Sequence, residues 1–275
     1  MGRYGGTAKT RSRSVRRLVF MEKITPENAV EISRELGREA YFTSPFILAA
    51  SCYFLRKNGQ LSVFFYDTVD KEIRFLYGPQ LSTVGEAHGV EFARDEDIRA
   101  LEVLGVSIKE RKSLGPEYIY DCEKLSKSAT PDLRGIRQNA NYFRKNNTYR
   151  ILHQYDPEKI KAFIRAWAET KDLSRYTELA KALFLLDLAM CLRYVDFVDL
   201  PQRNIFVEID GRLVGFAFTH PLTSNMFVGL MQKVDIRYRG LSPFIYQEKA
   251  KLHPGVKYFS IGCPADTPGL LQFKD

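Results

Sequence analysis

Residues 206–209 and 213–219 are short runs of apolar, β-branched and aromatic side chains, a composition that favours strands. Asp210 and Gly211 between them can take the positive φ angles of a type I′ turn, so the two runs predict a hairpin. A third run, residues 226–231, follows a turn at 222–225 and extends the hairpin to a meander. Next come a polar elbow (Gln232, Lys233, Asp235, Arg237, Gly240), a helical stretch from Leu241 to about Leu252, and a strand at 256–261.

The rest of the chain is patterned less sharply. Thr25 is a good N-cap, Pro26 suits a first turn, and Ala29, Val30, Ile32 and Leu36 give a helical stripe that Gly37 ends. Residues 46–55 are apolar, with alanines that favour helix and aromatics that favour strand, and periodicity does not decide between them. Asn58-Gly59 is a turn pair, and strands are expected at 61–66 and 72–76 around a turn at 67–71. A short helix at 98–104, a strand at 106–109 and a strand at 117–121 follow. Residues 134–145 predict a helix, and 172–199 predict one or two more, apolar on a broad face as a core helix would be. Trp167, with Phe163 and Ile160 at helical spacing, is expected as a core anchor rather than a substrate platform. The expected class is α+β with mixed sheets. The expected domains are 21–125 and 126–275, behind a basic tail at 1–20.

Charge locates that tail. Of 41 basic residues, Arg3, Lys9, Arg11, Arg13, Arg16 and Arg17 lie in residues 1–20 with no acid among them. The other 35 face 33 acidic residues, so no global nucleic-acid surface is implied. The tail lacks apolar periodicity and is expected to be disordered. Its readings are an RNA- or lipid-binding arm, a transit segment, or sequence ahead of a start at Met21. No run approaches the roughly 18 apolar residues of a membrane span, so the expectation is a cytoplasmic protein, at most peripheral at the membrane. Four cysteines and four histidines are scattered without metal-ligand or disulfide spacing, so reduced thiols and no metal site are expected.

On the 134–145 helix, Arg137, Asn141 and Arg144 share a face, with Arg134 one turn earlier. Such a stripe suits a phosphate, a carboxylate or a tRNA backbone. A solvated charged face is the alternative.

The segment from Glu117 to Leu125, followed by Arg137, Asn141, Phe143 and Arg144, resembles the entry to the catalytic domain of bacterial aminoacyl-phosphatidylglycerol synthases, the phosphatidylglycerol lysyltransferases. Gln138 stands where that family usually has Asn. The likeness continues through Gly211 to Phe216, the Gln232-Lys233-Val234-Asp235 run, Gly240, Asp266, Gly269-Leu270 and Lys274. It departs at Gly262-Cys263-Pro264-Ala265, where the family has a polar run, and the sequence stops at Asp275 where relatives continue.

The resemblance implies two tandem GNAT-like domains of the acyl-CoA N-acyltransferase type, with donor and acceptor meeting in an inter-domain pocket. It implies aminoacyl-tRNA as donor, a lipid or other hydroxyl or amine acceptor, an anionic membrane surface as partner, and no further cofactor. An activated ester needs its acceptor positioned, a base, and a cation for the developing oxyanion. Asp235 and Asp266 are the candidate bases, and Lys233 and Lys274 the candidate stabilisers or phosphate clamps. Arg134, Arg137, Asn141, Arg144 and Lys274 are the candidate substrate-binding residues. Each has a plainer reading: caps for the two aspartates, solvated charges for the lysines. Two other classes stay open. One is an acetyl-CoA-dependent N-acetyltransferase, although the 237–242 loop has a single glycine where a pyrophosphate loop needs more. The other is a non-catalytic RNA- or lipid-binding member of the fold.

Overall fold

The computed structural model describes residues 21–37, 43–67, 72–77, 89–90, 95–103, 105, 117–127, 130–196 and 203–262. The tail at 1–20, the expected strand at 106–109, Asp266 and Lys274 lie outside the described residues. The chain divides into two compact units. The first runs to Gly115, apart from residues 39–44, and the second takes those residues and continues from Pro116.

The first unit is built on a five-stranded sheet in the order β1-β2-β3-β4-β5. It begins with β1 (Glu22–Lys23) and α1 (Pro26–Leu36). The Thr25 N–H donates to Asn28 Oδ1 at 2.8 Å, and Gly37 closes the helix at φ 59°. The undecided apolar run splits in two: α2 (Pro45–Ser51) takes its alanine-rich part and β2 (Cys52–Lys57) its aromatic part. Asn58 and Gly59, at φ 53° and 76°, turn the chain into β3 (Gln60–Asp67). β4 (Glu72–Tyr77), β5 (Gly89–Val90) and α3 (Asp95–Val103) complete the unit.

The second unit contains, in chain order, β6 (Ile119–Asp121), α4 (Cys122–Lys127), α5 (Arg134–Asn146), β7 (Arg150–Leu152), α6 (Pro157–Glu169), α7 (Glu178–Val195), β8 (Arg203–Ile209), β9 (Arg212–Pro221), β10 (Met226–Val234), α8 (Leu241–Leu252) and β11 (Tyr258–Ser260). Its sheet order is β6-β11-β10-β9-β8-β7. β6 pairs antiparallel with β11, so residues ahead of 126 contribute a strand to this second sheet. The predicted meander is β8-β9-β10, and its first turn has Asp210 at φ 50° and Gly211 at φ 75°.

One face of the sheet carries α5 and α8. Ala140 and Phe143 from α5 and Leu241, Phe244 and Ile245 from α8 pack on Ile205, Val207, Val214 and Ala217. The other face carries α6 and α7. Phe163 meets Phe216 edge-on at 6.0 Å, and Tyr194 lies 6.2 Å from Phe218. Asp156 caps α6 by accepting from the backbone N–H groups of Glu158 and Lys159, with Pro157 at the first helical position. Each fully buried phenylalanine here contributes roughly 1.5–3 kcal/mol, so the meander is a firm platform.

Candidate functional site

β10 and β11 are parallel and pair only over Met226–Val228 against Tyr258–Ser260. β10 runs on to Val234, and among the described residues no strand pairs with that edge beyond Val228. Its other edge carries a bulge: Gly229 opposes Thr219 and Met231 opposes Phe218, which leaves Leu230 as the extra residue. The two strands therefore form a fork. One prong presents main-chain hydrogen-bonding groups that an extended ligand can use as a strand would.

Alternation along this prong sends neighbouring side chains to opposite faces. Gln232 donates from Nε2 to Ser242 Oγ at 2.8 Å and ties the prong to the first turn of α8. Lys233 turns the other way, to α6 and α7. Its Nζ donates to Asp187 Oδ2 at 2.9 Å and lies 4.3 Å from the centroid of the Trp167 ring. Only 11% of its side chain is exposed. Burial works against the charge, but the adjacent Cys191 and Asp187 outweigh it and hold the pKa above the ordinary lysine value. The Cys191 Sγ is 3.8 Å from Asp187 Oδ1, and burial pushes its thiol up to about 12. Lys171 Nζ also approaches Trp167, at 4.6 Å. Trp167 is thus half-buried and shared by two ammonium groups, where the spacing had suggested a plain core anchor.

Asp235 has a different occupation. Its carboxylate accepts from the Arg237 backbone N–H, Nε and Nη2, at 3.0, 3.0 and 2.6 Å. The hydrogen bond from the Arg237 side chain holds its pKa below the usual carboxylate range, which makes it a weak base. It clamps the elbow between β10 and α8. Gly240, at φ 83°, ends that elbow against α5, and a Cβ there would lie 2.0 Å from the Asn139 carbonyl oxygen. The first turn of α8 offers little to an anion: the Leu241 N–H donates to Tyr238, and Pro243 has none.

On α5, Arg144 and Asn141 do share a face, with Arg144 Nη1 donating to Asn141 Oδ1 at 3.2 Å. Arg144 is also committed to Glu248 of α8 at 2.9 Å, with its guanidinium 5.0 Å from the Phe244 ring centroid. It fastens two helices together. Arg134 and Asn141 are exposed and Arg137 is half-buried.

Two titratable groups lie buried on the α8 face. Lys249 is 2% exposed, its Nζ 4.4 Å from the Tyr246 ring centroid and 4.9 Å from that of Phe259, and burial pushes its pKa down to about 7. His253 stacks on Phe227 at 3.9 Å and shares a hydrogen bond with Thr219 Oγ1 at 2.7 Å. Sequence reasoning passed over Lys171, Asp187 and Lys249. The first two stand at the end of α6 and within α7 with no motif around them, and helical spacing alone could have placed Lys249 among the buried positions of α8 (Phe244, Ile245, Ala250).

A meander with a bulged third strand that forks from a parallel fourth is a GNAT-like α+β fold. Residues 85–266, well over half of the chain, match the family described as phosphatidylglycerol lysyltransferase, C-terminal, and the chain belongs to that family. Among solved structures it is similar to a conserved protein of unknown function from Bacteroides thetaiotaomicron, at 15% identity and a TM-score of 0.77, over 92% of this chain and 93% of that one. It is similar to L-PGS from Bacillus licheniformis at 14% identity and a TM-score of 0.60, over 88% and 77% of the two chains. The C-terminal domain assigned to a lysylphosphatidylglycerol synthetase from Agrobacterium fabrum matches at 11% identity and a TM-score of 0.58, over 86% and 78%. At such identities these likenesses are of fold. No curated protein matches the chain. Among the described residues, no helix is long and apolar enough to cross a membrane, and no cluster of metal-ligating side chains occurs.

Proposed function

We propose that the protein transfers an activated aminoacyl or acyl group, with aminoacyl-tRNA as donor, to a hydroxyl or amine acceptor at the fork of the second unit. The observation that carries this is the edge of β10 beside Leu230, which no strand among the described residues pairs, with Lys233 further along the strand. The aminoacyl end lies along that edge. The acceptor oxygen or nitrogen attacks the ester carbonyl, the bond to the ribose oxygen breaks, and the acceptor's proton ends on that oxygen. Lys233, charged and nearly dry, favours the oxyanion that develops. Asp235 holds the elbow in shape, and Asp266, the other aspartate that the sequence offers as a base, takes the acceptor's proton and passes it to the leaving oxygen. Arg134, Arg137, Asn141 and Lys274 contact the donor's phosphates. The acceptor hydroxyl or amine is carried by a lipid, and the protein works in the cytoplasm at an anionic membrane surface.

Coenzyme A is the weaker donor candidate. Its pyrophosphate needs free N–H groups at the start of α8, where the Leu241 N–H is used, Pro243 has none and the α5 backbone closes on Gly240. The test is to incubate the protein with lysyl-tRNA and vesicles containing phosphatidylglycerol, following ester loss and aminoacylated lipid. A parallel melting experiment includes coenzyme A. The expected result is deacylation with product formation and no effect of coenzyme A. Stabilisation by coenzyme A with untouched tRNA would instead establish the acetyltransferase reading.

A further inference from the structure

The cluster on the α6–α7 face holds one more cation than carboxylate. Asp187 answers Lys233 at 2.9 Å, whereas Lys171 has no hydrogen-bond or ion-pair partner among the described residues. Both ammonium groups lie within 5 Å of one indole centroid. Burial, and after it the charge of Lys233, push the pKa of Lys171 down, so the two groups repel each other in a half-buried place. An exposed lysine escapes such repulsion by swinging into water. Lys171 stays, on backbone pinned by its N–H to the Ala168 carbonyl at 3.0 Å.

The surroundings favour an anion. Phe184 stacks on Trp167 at 5.9 Å, and Tyr176 meets Phe184 edge-on at 6.4 Å. Such an aromatic wall lowers the local dielectric and strengthens a charge-assisted hydrogen bond. A phosphate presents oxygens in diverging directions, which suits two ammonium groups reaching it from separate residues.

We infer that Trp167, Lys171 and Lys233 form a binding subsite for a phosphate ester, held between the two ammonium groups against the indole, with Asp187 fixing Lys233. Its role in catalysis rests on the transferase reading, in which it holds a substrate phosphate while the ester lies in the fork. The binding itself does not depend on that reading.

Trp167 is the single tryptophan of the chain, so its fluorescence reports on this subsite alone. The full chain is titrated with sn-glycerol 3-phosphate and inorganic phosphate, and with chloride and acetate at matched ionic strength. The expected result is a saturable change with glycerol phosphate that chloride and acetate do not produce. Lys171→Met weakens it by about ten- to a hundredfold, the size of one lost charge-assisted contact, with an unchanged or higher melting temperature. Lys181→Ala, which removes only an exposed pair with Glu178, leaves it unaltered. A response as large with chloride, or one that survives Lys171→Met, would overturn the subsite. Tighter binding of inorganic phosphate than of the ester would overturn the ligand class. Saturable binding in a protein that never deacylates tRNA would discard the transferase reading and leave the subsite standing. Active transfer without any phosphate response would do the reverse.

Discussion

Replacing Lys249 with methionine should stabilise the protein at mildly acid pH. The side chain is almost fully buried between Tyr246 and Phe259, beneath Gly229, where a Cβ would lie 3.3 Å from Nζ. No hydrogen-bond or ion-pair partner occurs for it among the described residues. Burial alone lowers its pKa from 10.5 to about 7. Between those values the unfolded chain carries a proton that the folded protein has released. Stability therefore rises with pH across this window, by about 1.4 kcal/mol per pH unit. Below pH 7 both states are protonated, and the folded protein bears the full cost of a buried ammonium, on the order of 5 kcal/mol. Lys249→Met has a similar length and no charge. At about pH 6 it should gain several kcal/mol over the native protein, and the two should converge as pH rises toward 10. Urea denaturation at four pH values measures this, and the difference between the proteins cancels the other lysines. Parallel pH profiles, or a methionine variant that is weaker at pH 6, would mean that the ammonium is satisfied and the reasoning false.

Gly240→Ala should lower stability by roughly 2–4 kcal/mol, seen as a lower melting temperature, because φ 83° disfavours a side chain and the Cβ meets the Asn139 carbonyl oxygen. His253 should stay neutral to about pH 3, held down first by burial and then by Arg203 and His220. It thus adds stability that rises with pH between about 3 and 6.5, and the NMR titration of its ring protons reads this directly. Cys191, with its thiol pushed up to about 12, should resist alkylation near pH 8 until the protein unfolds.

The readable parts of the chain were those with local causes. Asp-Gly and Asn-Gly announced their hairpins because few other pairs accept two positive φ angles, and both turns stand where those pairs do. The 46–55 run was unreadable because a helix and a strand meet inside one apolar stretch, and hydrophobicity does not change at Ser51. The elbow showed its residues but not their duties. Gln232, Lys233 and Asp235 are sequence neighbours whose partners, Ser242, Asp187 and Arg237, lie in different directions. Arg144 looked like part of an anion stripe, but its partner Glu248 lies more than a hundred residues away. Among the described residues the fork is a gap in pairing, and a gap has no sequence of its own.

The central claim is that the donor's aminoacyl end lies along the open edge of β10. Hydrogen exchange, measured with a non-hydrolysable 3′-aminoacylamino-adenosine as the tRNA-end analogue, tests it most directly. Slowed exchange in residues 229–234, lost when Lys233 is replaced by methionine in a protein that still melts normally, is the predicted result. Binding that leaves those residues unchanged and protects another surface would contradict the account.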